Sequence, residues 1–185
     1  AGLAIVDVAD DGSYRSSTSN QKEAAVVASV VAELLERRLE DGSSSRSLTT
    51  DDVLVVCPYN AHVRAVEAAL VERGIRRVRV GTVDRFQGRE APVVVASLCA
   101  PPSQNDEDED SVASGGRGVA FVLDVRRLNV ALSRAQCLAV LVAAPDLADG
   151  AASSLDRMRE LAVLSRLREL AVDTVVADES VAGEP

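Results

Sequence analysis

Val53-Leu54-Val55-Val56-Cys57 constrains the fold most: five apolar residues in a row, three of them β-branched, stopped by Pro58. An amphipathic strand alternates apolar with polar residues, so an unbroken apolar run of this length reads as a strand buried on both faces, the habit of parallel sheets. Val93 to Leu98 and Leu138 to Ala143 repeat the pattern, and Leu3 to Val8 is a further short run. Helical periodicity fills the intervals. Asn20 with Glu23 three residues on has the spacing of a capping box, followed by inward positions Val27, Val30, Val31, Leu34 and Leu35, which predicts a helix to about Glu40. Asn60 is placed to cap a second helix running to Arg73, with Val63, Val66, Ala69 and Leu70 inward and Gly74 as its stop. Two-sided strands alternating with helices define an α/β domain with a mainly parallel sheet.

The connections follow from composition. Asp10 to Ser19 and Asp41 to Thr50 are polar and Ser-rich, hence loops. Arg77 to Thr82 is expected to be a strand and Asp84 to Gly88 a tight turn or one helical turn. Ser103 to Gly118 is acidic, with five acids in a row from Asp106 to Asp110, and is expected to be a mobile surface loop. Ser154 opens a last helix to about Ala171, whose leucines at 155, 161, 164, 167 and 170, with Met158, form a stripe that winds around the axis. The expected organisation is one domain over 1–176 and a frayed tail over 177–185.

With 185 residues the chain can bury roughly 70% of its unfolded surface and needs no disulfides. Its apolar content is 47% with 2% aromatic, so Val, Leu and Ala must build the core. A net charge of −9 argues against a protein that coats nucleic acid through a general basic surface, but not against a narrow local site. Cys57, Cys99 and Cys137 lie in or beside apolar strands without CxxC spacing, and His62 is the single histidine. That is too few ligands for a zinc site, so no metal is expected to be held by this chain. All three cysteines read as buried core thiols of a reducing, cytoplasmic protein. The apolar runs have strand length and are interrupted by charge, so no membrane span is expected. A first residue of Ala1 rather than Met suggests a piece of a longer chain.

Val125-Arg126-Arg127-Leu128-Asn129-Val130-Ala131-Leu132-Ser133-Arg134-Ala135 reads as a short helix leading into the strand from Cys137. Val125, Leu128, Ala131 and Leu132 would share its core face, and Arg127 and Arg134, seven apart, would lie along one side. A guanidinium on a rigid half-buried helix suits a carboxylate or a phosphate, whereas arginines that merely reach for water would carry no function.

Three blocks now stand in order: Pro58-Tyr59-Asn60-Ala61, then Val80-Gly81-Thr82-Val83-Asp84-Arg85-Phe86-Gln87-Gly88-Arg89-Glu90, then Arg127 to Ala135. Together they resemble motifs IV, V and VI of superfamily 1B helicases, in the branch of the nonsense-decay helicases. The resemblance covers about residues 1 to 148 and is strongest toward bacterial members that also carry a RecB-like nuclease domain. It implies the second RecA-like domain of a two-domain motor, a three-layer α/β fold. ATP with Mg²⁺ would sit between this domain and an N-terminal RecA-like domain of the same chain. Single-stranded nucleic acid, DNA in preference to RNA, would lie across both.

What the resemblance implies for single residues is specific. Arg134 corresponds to the arginine finger. Gln87, Gly88, Glu90 and Arg127 fall in the nucleotide set, with Glu90 directed to the ribose. Pro58, Tyr59, Asn60, Thr82 and Val83 fall on the nucleic-acid track. Two positions depart from the pattern: Gln136 replaces a basic residue, and Val125 stands where Pro is common. No Gly is followed by Lys, so the Walker A loop is absent from the chain, and the acidic run is no Walker B because no apolar strand precedes it. The isolated domain is therefore expected to be inactive in ATP hydrolysis. The competing expectation is a non-catalytic interaction module that keeps the fold and binds a partner through the acidic loop.

Overall fold

The computed structural model describes residues 2–8, 15–16, 18–42, 44–86, 88–99, 124–148 and 155–177. The loop 103–118, Gln87 and the tail from 178 onward lie outside the described residues. Ten strands are described: β1 (Gly2–Val8), β2 (Arg15–Ser16), β3 (Ser19–Asn20), β4 (Arg38–Asp41), β5 (Ser44–Ser47), β6 (Val53–Cys57), β7 (Arg79–Thr82), β8 (Ala91–Ser97), β9 (Ala135–Ala143) and β10 (Asp173–Ala177). The helices are α1 (Gln21–Leu35), α2 (Asn60–Glu72), α3 (Val125–Leu132) and α4 (Leu155–Leu170). Six strands form one sheet in the order β10-β1-β9-β8-β6-β7, every neighbouring pair parallel.

Alternation along the buried strands sorts the core into two layers. Val53, Val55, Cys57, Val93, Val95, Val140 and Val142 face α1 and α2, meeting Ala24, Val27, Val31, Val63, Val66 and Leu70. Leu54, Val56, Val94, Ala96 and Leu141 point the other way, against Leu128 and Ala131 of α3 and Leu164 of α4. The uniformly apolar run at β6 is thus required by the position of that strand, with helices on both faces. This is the expected RecA-like α/β architecture of helix, sheet and helix layers.

Local differences have identifiable causes. Helix α1 stops at Leu35, because Arg38–Asp41 turns through Gly42 (φ +57°) into an antiparallel hairpin with Ser44–Ser47. Helix α2 ends at Glu72, capped by Arg73, with Gly74 (φ +73°) as the expected stop just beyond, but its first residue is Asn60 itself, with Tyr59 at the cap and no side-chain cap bond. Strand β7 begins at Arg79 because Arg77 is left-handed (φ +71°). Val125 is 47% exposed, so Leu128 and Ala131, with the half-buried Leu132, seat α3 on the core. Cys57 and Cys99 are buried, whereas Cys137 is exposed: β9 runs beside β8 from Ala135 but meets β1 only from Leu138, and burial begins at Ala139. Strand β10 was not legible as one. It completes the sheet by pairing Asp173 to Ala177 with Ala4 to Val8. Beside it, Arg168 of α4 donates two hydrogen bonds to the buried carboxylate of Asp7, at 2.6 and 2.8 Å. None of the described helices is long and apolar enough to cross a membrane.

Candidate functional site: two ends of one sheet

A parallel sheet has distinct ends, and the three sequence blocks divide between them. At the carboxyl ends stand Pro58, immediately after β6, Thr82, the last residue of β7, and Val83, which opens a short 3₁₀ turn over Val83–Phe86. The amino end of α3 joins them. Pro58, Val83, Arg127 and Leu128 line one shallow cleft of about 30 Å³ with the ends of β6 and β8. Arg127 stands 3.9 Å from the Asp84 carboxylate, a loose ion pair whose acid is 82% exposed and so contributes little. Asn60 is exposed on the first turn of α2, and Thr82 and Val83 are half-buried. Tyr59 is 8% exposed with its ring packed in the α3–α4 core, so the block IV aromatic offers no stacking surface.

Helix α3, like any helix leading into a strand of a parallel sheet, runs antiparallel to the strands; its 8 residues cover about 12 Å. Asp124 caps it by accepting from the backbone N–H groups of Arg126 and Arg127. Its far end delivers Arg134 to the amino ends of the strands. The sequence spacing suggested one helical side for Arg127 and Arg134, but the helix stops at Leu132. Arg134 occupies the turn beyond it, where Ala91 N–H donates to its carbonyl at 3.1 Å. Gly88 (φ +79°) and Glu90 precede β8 at this same end. Glu90 accepts a 3.3 Å hydrogen bond from Gln136, the residue standing where a basic one was expected. Arg127 therefore keeps company with Pro58 and Val83, while Arg134, Glu90 and Gly88 form the opposite group.

The state of Arg134 is unusual. Its Nε is buried without a hydrogen-bond partner, and among the described residues no carboxylate lies within ion-pair distance of the guanidinium. A buried donor without a partner costs on the order of 1–3 kcal/mol. Arg79 and Arg168 share an unsatisfied Nε, but Arg168 is paired with Asp7, whereas Arg134 has no carboxylate partner among the described residues.

The platform under the carboxyl-end cleft is pinned by polar contacts that sequence spacing pointed to only in part. Asn20 caps α1, accepting from Glu23 N–H at 2.9 Å. The Glu23 carboxylate does not complete the capping box. It reaches instead to the end of β8, accepting from the Ser97 hydroxyl at 2.5 Å and from Cys99 N–H at 2.8 Å. His62 of α2 accepts from Asn20 N–H on Nδ1 at 3.4 Å, which places its hydrogen on Nε2, 2.7 Å from Ser97 Oγ. The chain Asn20, His62, Ser97, Glu23 ties both helices of one layer to β8, next to Pro58. Burial lowers the His62 pKa to about 4, so the ring is neutral at physiological pH. It likewise pushes the Cys57 thiol far up, away from reactivity. Among the described residues no group of three or more His, Cys, Asp or Glu could hold a metal ion.

The chain matches known proteins over most of its length. Residues 3–146 match the family described as an AAA domain. The chain is 38% identical over 121 residues to the DNA polymerase alpha-associated DNA helicase A of Schizosaccharomyces pombe, covering 65% of this chain and 15% of that protein. It is 32% identical over 113 residues to the DNA replication ATP-dependent helicase/nuclease DNA2 of Mus musculus, covering 61% and 9%. It is 26% identical over 142 residues to the putative helicase mov-10-B.1 of Danio rerio, covering 71% and 13%. The chain belongs to the superfamily 1 helicase family, a family with nuclease-fused members. It spans less than a fifth of the length of each of these three relatives.

Proposed function

We propose that this chain is the C-terminal motor domain of an ATP-dependent helicase or translocase, with its two sheet ends given to two ligands. The amino-end group serves the nucleotide. Arg134 acts as the arginine finger, Glu90 accepts from the ribose hydroxyl, and Gly88 lets the backbone approach; Gln87 belongs to the same block but lies outside the described residues. The carboxyl-end group, Pro58, Asn60, Thr82 and Val83, with Tyr59 seating the turn from within, follows the backbone of a single strand. Arg127, expected in the nucleotide set, has the position to add a charge to that track. ATP with Mg²⁺ supplies the phosphoryl transfer, held mainly by an N-terminal RecA-like domain that this sequence does not contain. DNA is taken as the strand, since relatives named for DNA include the helicase A of Schizosaccharomyces pombe and the DNA2 of Mus musculus, although others are named for RNA.

One observation carries the proposal: the uncommitted guanidinium of Arg134. A structural arginine on this turn would be paired with a carboxylate of its own domain; a finger must keep its donors for a phosphate that arrives when two domains close. Glu90 stands at the same end of the sheet but is bonded to Gln136, a neutral partner. Fingers of this kind contribute on the order of 10³–10⁵ in turnover, or roughly 4–7 kcal/mol of transition-state stabilisation.

The test is Arg134→Ala in the full-length protein. Nucleic-acid-stimulated ATP hydrolysis should fall by about three orders of magnitude or more. Melting temperature should hold or rise, because the substitution removes a buried donor that has no partner. Hydrolysis kept per folded molecule, with a lowered melting temperature, would overturn the finger and favour a structural arginine. Absence of stimulated hydrolysis in the wild-type protein would favour the interaction-module reading.

A further inference from the structure

The chain carries a net charge of −9, yet residues 73–89 hold Arg73, Arg76, Arg77, Arg79, Arg85 and Arg89 against the single acid Asp84. This segment forms β7, the outer strand of the sheet, with the turns on either side of it. Local charge of this density in an acidic protein focuses an attractive potential on one edge.

The arginines converge on a cavity. Arg79, Arg85 and Arg89, with Glu67, Val78, Val80 and Phe86, line a space of about 310 Å³ against β7. Their donors are largely unspent. Arg85 gives one hydrogen bond to Val80 O at 3.3 Å, covering a carbonyl of the free strand edge. Arg79 gives one to Asp51 O at 2.7 Å, while its Nε is buried without a partner. Glu67 shares the cavity but makes no ion pair with these arginines among the described residues, and Arg76, Arg77 and Arg89 have no carboxylate partner there either. Arg77 adds an independent sign. It holds a left-handed backbone (φ +71°) at a position glycine would occupy without strain, so the side chain is kept at a conformational cost.

We propose that this edge is a second nucleic-acid surface, distinct from the carboxyl-end track, and that it takes the phosphodiester backbone of a duplex. Guanidinium forks without carboxylate partners suit phosphate oxygens. The strip offers guanidinium charge and no exposed ring, which suits a duplex backbone whose bases are already stacked. The carboxyl-end track, which also lacks an exposed ring, takes its single strand from its motif positions alone. The single aromatic residue of the segment, Phe86, is buried, its ring against Gly81. Such a surface reads charge and not sequence, and it would let the motor hold the double-stranded region beside the strand it tracks. This rests on the motor-domain reading above.

The test uses the full-length protein, a labelled 20-base-pair blunt duplex of mixed sequence, and a labelled 20-nucleotide oligothymidylate. Binding is followed by fluorescence anisotropy from 50 to 200 mM salt. Two variants are compared with wild type: Arg76→Gln/Arg79→Gln/Arg89→Gln, and Arg77→Gly. The triple variant should bind duplex at least tenfold more weakly at 100 mM salt. Its slope of log K against log salt should be shallower by about 2.7, or about 0.9 per lost phosphate contact. Its affinity for oligothymidylate should stay within twofold, whereas Thr82→Ala should do the reverse. Arg77→Gly should weaken duplex binding several-fold while melting temperature holds or rises, which excludes misfolding as the cause.

Duplex binding unchanged in both variants, with single-strand binding intact, would overturn this inference and leave the motor reading standing. A parallel loss on both probes would assign the strip to the single-strand track and overturn the duplex assignment. A wild-type protein that binds neither probe would overturn the motor reading and this inference together. Tighter binding of a polyglutamate peptide than of duplex, lost in the triple variant, would make the occupant an acidic protein segment and overturn it as well.

Discussion

His62 offers a sharp test of the polar chain beneath the cleft, because it is the single histidine and is fully buried. The perturbation is acid, applied to wild type and to His62→Gln. In the folded protein the ring takes up a proton only near pH 4, against 6.5 for an exposed histidine. Between those values the unfolded chain binds the proton and the folded one does not, so stability falls as pH drops through 6.5 toward 4. One pKa unit corresponds to about 1.36 kcal/mol, so going from pH 7.5 to 5.0 should cost wild type about 2 kcal/mol from this residue alone. Asp52 does not confuse the measurement: hydrogen bonds from Arg46 and Thr49 hold its carboxyl well below the usual carboxylate range, and it keeps its charge at pH 5. The assay is urea unfolding at both pH values, comparing midpoints at unchanged m. The wild-type loss on acidification should exceed that of His62→Gln by about 2 kcal/mol, or about 4–8 °C in melting temperature for a domain of this size. Equal acid losses in the two proteins would refute the buried neutral ring and the tautomer assigned from it.

Gly81→Ala should destabilise by about 1–3 kcal/mol in urea unfolding, because a Cβ there would stand 2.8 Å from Arg85 Cδ and 2.9 Å from the Phe86 ring; an unchanged midpoint would contradict the packing of the 3₁₀ turn on β7. Arg168→Ala should cost about 3 kcal/mol by leaving the buried Asp7 carboxylate unpaired, and in a double-mutant cycle the Asp7→Ala/Arg168→Ala protein should lose less than the sum of the single changes. Native protein should take up an aromatic disulfide reagent rapidly at Cys137 alone, with Cys57 and Cys99 reacting only on unfolding; fast reaction of a second thiol in native buffer would contradict their burial.

The sequence by itself determined the layers. An apolar run such as Val53–Cys57 is stable only between two covered faces, and that local demand fixed β6 and β8 in the middle of a parallel sheet before any contact was known. Asn20 as the cap of α1 and Gly74 as the stop of α2 were equally legible, because both are set by backbone geometry within a few residues. The motif blocks were legible as strings, and the strings sufficed to name the family. Their division between two ends of the sheet was not. Thr82 and Glu90 are eight residues apart in one block, and only the tertiary path puts the first at the carboxyl end of β7 and the second at the amino end of β8. Other features also needed the folded chain. Whether Glu23 would close its own capping box or reach Ser97 depends on where β8 ends, 74 residues away. Asp173–Ala177 carries β-branched Thr174, Val175 and Val176, but the preceding helix and the chain's end obscured it, and it becomes a strand by pairing along the edge of β1. Cys137 looked like a core thiol in an apolar run, yet a strand is buried only as far as its neighbours extend beside it. Local spacing decides which element a residue joins; what its side chain meets depends on residues distant in sequence, and these are brought together only by packing.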